Sequence, residues 1–193
     1  LIVRLTSMAG CDLVRVKSRF TKVMYYLFAF AMIVPFQMVM FTLVKVSKMF
    51  NLDNLIGIIF IYVRFGAGLS VFMFTGFIKA IPVSLEEAAM IDGCSIMQIY
   101  FKVVFPVIRP IIMTVAILNA MWIWNDYLLP YLVIGSEYKT ISVAIQYLRG
   151  GTGSIDLGLM MSMLVLAIIP IVIFYMICQK WIIQGVIAGA VKG

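Results

Sequence analysis

Long apolar runs separated by short polar stretches set the pattern of this chain: residues 23–44, 55–78, 107–134 and 157–177 are each predominantly apolar. Each reaches the ~20 residues needed to cross roughly 30 Å of hydrocarbon, where only helices or closed barrels satisfy the backbone. Continuous runs, as opposed to strict alternation, predict helices. Residues 1–14 read as the end of a fifth span interrupted by Arg4 and Asp12, since a charge at a helix centre costs about 2.5–3.5 kcal/mol on insertion scales. The chain begins without Met, and the expectation is an N-terminal truncation with at least one further span upstream. No signal peptide is recognisable. The expected fold is an all-α polytopic transmembrane helix bundle: four complete spans and a partial N-terminal one, forming one domain over residues 1–193 with a loop at 79–109.

That loop breaks the apolar pattern. Ile81 to Pro110 reads IPVSLEEAAMIDGCSIMQIYFKVVFPVIRP, with three carboxylates and ordered helix punctuation. Ser84 followed by Glu87 predicts a capping box, Asp92-Gly93 a stop, and Ser95 with Gln98 a second box. In the second helix Ile96, Ile99, Tyr100, Val103 and Val104 recur at i, i+3, i+4, i+7 and i+8, one apolar stripe that Pro106 ends. A short helix pair with that stripe, and with small residues at Ala88 and Ala89, suits docking into a groove on another protein.

Composition strengthens the membrane reading, because 64% of residues are hydrophobic and only 12% charged, with a mean hydropathy of +1.12, outside the range of soluble domains. The net charge of +7 is not a nucleic-acid signature, as no basic patch is interleaved with exposed aromatics. Grouping Arg15, Lys17, Arg19, Lys22, Lys79, Lys102, Arg109, Lys180 and Lys192 on one side leaves only Lys45, Lys48, Lys139 and Arg149 on the other. This asymmetry assigns the 15–22 and 79–109 loops and the C-terminus to the cytoplasm. Cys11, Cys94 and Cys178 are scattered and His is absent, so neither a metal site nor a disulfide framework is indicated.

Glu87-Ala88-Ala89, three residues, Gly93, nine residues, then Val103-x-Phe105-Pro106 resembles the "EAA" loop of binding-protein-dependent ABC importer permeases. Val103 and Phe105 depart from that family's usual Ile-x-Leu-Pro ending, and Cys94 replaces a usual small residue. Trp124-Asn125-Asp126-Tyr127 and the ending Gly185 to Gly193 are similar to the maltose and multiple-sugar branch. The resemblance implies an ABC importer permease fold in a bacterial cell membrane. Its cytoplasmic coupling helices would seat in an ATP-binding cassette ATPase dimer through Glu86, Glu87, Ala88, Ala89, Asp92, Gly93 and Pro106. It further implies a second homologous permease subunit, an extracellular solute-binding protein, a sugar substrate and alternating access. The tail 184–193 reads by composition as disordered, and the resemblance would send it toward the ATPase interface. Glu87 also has a purely local reading, as partner of Ser84 in a cap worth about 0.5–2 kcal/mol.

Polar groups inside spans face a bundle interior or a water-filled path. Asn119, Trp122 and Asp126 share a helix face at i, i+3 and i+7, with Asn125 beside them; rings and amide or carboxylate groups together suit a sugar. The bland alternatives are interhelical glue for Asn119, an interfacial aromatic belt for Trp122, Trp124, Tyr127 and Tyr131, and a solvated span boundary at Asp126. Arg64 sits mid-span beside Gly66, Ala67 and Gly68 and is expected to face the cavity or a carboxylate. Pro35 and Pro170 are expected kinks, with Gln37 lining the path.

No phosphate-binding lysine loop, catalytic His or nucleophile elbow occurs. The chain is therefore not expected to be an enzyme or to need a cofactor of its own, ATP being bound by a partner subunit. Competing readings are a permease for a glycerophosphodiester, glycerol phosphate or polyol, a membrane scaffold or enzyme, and an ion channel.

Overall fold

In a computed structural model the chain forms helices and turns throughout the described residues. These are 1–135, 137–150 and 157–190, with side chains described for 1–135, 137–147 and 157–180. The helices in order are α1 (Ile2–Arg15), α2 (Arg19–Ile33), α3 (Phe36–Met49), α4 (Leu55–Ile78), α5 (Ser84–Ile91) and α6 (Ile96–Ile99). A π-helical turn (Tyr100–Val104) leads into α7 (Phe105–Val107), followed by α8 (Arg109–Asn125), α9 (Leu128–Val133), α10 (Ile141–Gly150) and α11 (Leu157–Ala190). Among the described residues two helices, α4 and the Leu157–Lys180 portion of α11, are each long and apolar enough to cross a bilayer; the number reaches four if α2 with α3, and Ile96–Val107 with α8, each count as one interrupted span.

Of the four expected spans, α4 has the expected bounds and the others differ for identifiable reasons. Residues 23–44 are not one helix: the chain is extended at Val34 (φ −71°, ψ 113°) and Pro35 (φ −66°, ψ 142°), because a residue before proline is driven out of the helical region. The run 107–134 is broken after Asn125 and resumes at Leu128. The fourth run continues through Pro170 to Ala190, so the backbone of residues 184–190 is helical and not disordered, as propagating an existing helix costs no new nucleus. Val191, Lys192 and Gly193, and the side chains of Arg149 and of the rest of the tail, lie outside the described residues. Residues 2–15, expected as the end of a partial N-terminal span, form the 14-residue helix α1.

The chain divides into two compact units, one of Leu1–Val34, Val63–Ile117 and Trp181–Gly193, the other of Pro35–Tyr62 and Leu118–Lys180. The first is built on a continuous apolar core from Phe74 and Ile78 of α4, Ala89 of α5, Ile99, Tyr100, Val104, Ile108, and Ile112 and Val115 of α8, with Val3, Met8, Cys11 and Val14 of α1 packed against it. Glycines permit two close approaches here. A Cβ on Gly10 would lie 2.8 Å from Cβ of Phe74, and one on Gly68 would lie 3.1 Å from the Phe28 carbonyl oxygen. In the second unit, Trp124 Nε1 donates to the Ala167 carbonyl (3.3 Å) and Ser142 Oγ to that of Trp124 (3.1 Å), tying α8, α10 and α11 together.

Candidate functional site

The 79–109 segment folds as two helices around a tight turn. Gly93 takes a left-handed conformation (φ +82°). The Cys94 N–H bonds the Ala89 carbonyl and the Gly93 N–H that of Met90, both at 3.0 Å, the paired bonds of a Schellman ending. The second helix starts with a complete capping box: Ser95 Oγ accepts from the Gln98 N–H and Gln98 Oε1 from the Ser95 N–H.

Two local expectations are corrected. Ser84 is not a cap, because it is already the first residue of α5 and the preceding Val83 is helical (φ −62°, ψ −28°). The turn begins one residue earlier, with the Glu86 and Glu87 N–H groups bonding the Val83 carbonyl at 2.9 and 3.0 Å. Pro82, whose φ is preset near the helical value, favours that earlier start. Nor does Pro106 end the second helix. An ordinary α-turn would press its ring against the Lys102 carbonyl; the chain widens instead, and the Phe105 N–H bonds back to the Tyr100 carbonyl, five residues away. The helix then passes through Pro106 and breaks at Ile108, with a 77° bend into α8.

Burial separates the two glutamates and the two alanines. Glu86 is 7% exposed and Ala89 is buried, whereas Glu87 and Ala88 are exposed. Ser84, Glu87, Ala88 and Ile91, at i, i+3, i+4 and i+7, are all exposed and form the outward stripe of α5, ending in Ile91 at 87% exposure. The apolar stripe of the second helix points mainly inward: Ile99, Tyr100 and Val104 are core residues, and Ile96 alone among the five is open, at 80%. The exposed surface of the helix pair includes Glu87, Ala88, Ile91 and Ile96, with Met90 and Met97 also exposed. Asp92 and Pro106 are exposed as well.

Glu86 is held inside the first unit. Its Oε1 accepts from Arg15 Nε at 2.8 Å and lies 2.7 Å from Arg15 Nη2, which also donates to the Ile81 carbonyl at 3.1 Å. Nearby, Tyr100 Oη and Ser7 Oγ share a buried hydrogen bond of 2.7 Å. Burial raises the Tyr100 phenol above its ordinary pKa, against a smaller opposing effect of the Ser7 bond, so this contact is between neutral groups at physiological pH.

In the second unit Asp126 has two duties. Its Oδ1 accepts from the N–H groups of Leu128 (3.1 Å) and Leu129 (3.4 Å), capping α9 where the span breaks, and its Oδ2 accepts from Tyr62 Oη at 3.1 Å. The Tyr62 ring stands edge-on to Trp122, with centroids 5.6 Å apart. Tyr62, Trp122 and Asp126 are therefore one cluster, with Trp122 partly exposed. Asn119 is buried one turn away. Asn125 turns its amide back to the Met121 carbonyl at 2.7 Å. Arg64, in the other unit, is exposed and lies over the Phe65 ring, 4.6 Å from its centroid.

Arg15, Ser7 and Tyr62 carry contacts that sequence reading did not single out, and Tyr100, read there only as part of an apolar stripe, makes a polar one. The small, buried face of Thr6, Ser7 and Gly10 on α1 was an available signal for Ser7. Nothing local marks Tyr62.

Apolar spanning helices joined by a compact polar helix pair define a multi-pass membrane protein. Comparison with known proteins goes further: residues 2–188 match the model of the binding-protein-dependent transport system inner membrane component, and the chain belongs to that family. It is a transport permease component and not an enzyme, and the system it serves includes a solute-binding protein and an ATPase. Among its relatives is the probable starch degradation products transport system permease protein AmyC of Thermoanaerobacterium thermosulfurigenes, 43% identical over all of this chain and 70% of its own length. The multiple sugar-binding transport system permease protein MsmG of Streptococcus mutans is 36% identical over 88% of this chain and 62% of its own. The melibiose/raffinose/stachyose import permease protein MelC of Bacillus subtilis is 33% identical over all of this chain and 71% of its own.

Proposed function

We propose that this chain is one permease subunit of an ATP-driven importer that moves a sugar or oligosaccharide, handed over by a solute-binding protein outside the cell, across the membrane beside a second homologous permease. The observation that carries the coupling role is the outward stripe of α5. Glu87 offers a free carboxylate, Ala88 lets a partner backbone come close, and Ile91 is an apolar anchor of the kind that fills a groove. ATP-driven closure of the ATPase dimer would pull on this stripe and, through α5, on the helices of the first unit. Proximity of Arg15 to Glu86 supports a common cytoplasmic face for the two basic loops, in keeping with the charge asymmetry.

Sugar chemistry is supported by the names of the relatives and by the Tyr62, Trp122 and Asp126 cluster. An aromatic face stacks on the apolar face of a pyranose, and a carboxylate accepts from its hydroxyls. Trp122 is accordingly the stacking platform and Asp126 the acceptor, with Asn119 shaping the path behind them.

The test is ATP-dependent uptake of radiolabelled malto- and galacto-oligosaccharides by proteoliposomes holding both permeases, the ATPase and the binding protein. Uptake should occur in wild type and fall at least about tenfold in Glu87→Ala or Ile91→Asp, the size of a typical interface hot spot. Wild-type vesicles that take up no carbohydrate would sink the sugar reading; full uptake in both variants would sink the coupling role of α5.

A further inference from the structure

We propose that Arg15 and Glu86 form a clasp that makes α1 move with the coupling helices, so that α1 is a transmission element of the transporter; this rests on the coupling role proposed for α5. Three contacts on one face of α1 build the clasp. Ser7 meets Tyr100 in the π-turn through a buried 2.7 Å hydrogen bond. Gly10, three residues on, abuts Phe74 so closely that a Cβ would collide with it. Arg15 closes the end with two guanidinium nitrogens, binding the Glu86 carboxylate and the Ile81 carbonyl together.

The geometry suits transmission. Adjacent residues on a helix point about 100° apart, so Glu87 can face the ATPase while Glu86, on the same turn, grips α1. The short α5 moves as a rigid body, and displacement applied at Glu87 and Ile91 reaches Arg15 without passing through a flexible linker. Ser7 to Tyr100 supplies a second grip on the next helix of the pair, across the Gly93 turn. With two grips and a close helix contact between them, α1 cannot stay behind when α5 and the π-turn shift. Arg15 is a positioning residue here: it touches neither sugar nor nucleotide.

The experiment uses the complete transporter in proteoliposomes and reads sugar taken up per ATP hydrolysed, with assembly checked by co-purification. Arg15→Ala and Glu86→Ala should keep ATP hydrolysis yet lower the uptake-to-hydrolysis ratio by about tenfold, within the usual range of coupling between sites. The charge-swapped pair Arg15→Glu with Glu86→Arg should recover most of that ratio, which a generic packing defect would not. If the alanine variants fail to assemble, Arg15→Lys and Glu86→Gln decide, the first expected to retain more of the ratio than the second. Unchanged ratios in the single variants, or a swap no better than its components, would overturn the clasp. Wild-type vesicles without ATP-driven uptake would instead overturn the coupling reading beneath it.

Discussion

Replacing Gly93 by alanine isolates the backbone contribution to the turn between α5 and α6. Nothing lies within 4 Å of a Cβ built there, so no neighbour resists the new methyl group. The whole cost comes from φ +82°, about 1–2 kcal/mol for an L-residue held in the left-handed region. Relief requires leaving that region, which breaks the two 3.0 Å bonds from the N–H groups of Gly93 and Cys94. Those two amides report local opening of the turn, and a strain of about 1–2 kcal/mol should speed their hydrogen exchange roughly five- to thirtyfold. Asparagine tolerates the left-handed region far better than other non-glycine residues. Gly93→Asn should therefore recover much of the protection lost in Gly93→Ala. Exchange measured by mass spectrometry on the nanodisc-embedded transporter would settle it. Equal loss in the two variants, or no loss in Gly93→Ala, would refute the reasoning.

Ser84→Ala should leave stability within about 0.5 kcal/mol, as for a surface change away from any cap, whereas Ser95→Ala should cost about 1 kcal/mol by opening its capping box; thermal denaturation of the two variants compares them directly. Tyr62→Phe removes the 3.1 Å bond to Asp126 while keeping the ring against Trp122. It should raise the KM for sugar uptake severalfold and leave basal ATP hydrolysis unchanged, and an unaltered KM would exclude Tyr62 from the path. Gly10→Leu should destabilise the first unit by about 1–3 kcal/mol through overpacking against Phe74, seen as a lowered thermal midpoint of the purified protein.

Much of this architecture was legible from residue order. The bounds of α4, the Gly93 stop and the Ser95 with Gln98 box each depend on interactions within a few residues, and each stands in the structure. The errors share a cause. Reading Ser84 as a cap missed that Pro82 starts the turn early, and reading Pro106 as a stop missed that a π-turn can carry a helix past proline. Periodicity identifies an apolar face without saying what covers it, so the residue pattern does not distinguish the inward stripe of the second helix from a docking surface.

By itself the sequence determined that this chain lives in a membrane, that its apolar runs form helices, and where a punctuated polar helix pair interrupts them, because bilayer length, backbone satisfaction and capping are local demands; where those runs break was not determined. Only the tertiary structure decided which glutamate is bound and which is free, that Tyr62 joins Trp122 and Asp126, and that Arg15 reaches Glu86 across 71 positions. Those outcomes depend on which helices pack together and at what rotation about their axes. Burial and pairing are properties of that packing, and neighbours in sequence such as Glu86 and Glu87 acquire opposite fates when one side of their helix meets a core and the other meets solvent.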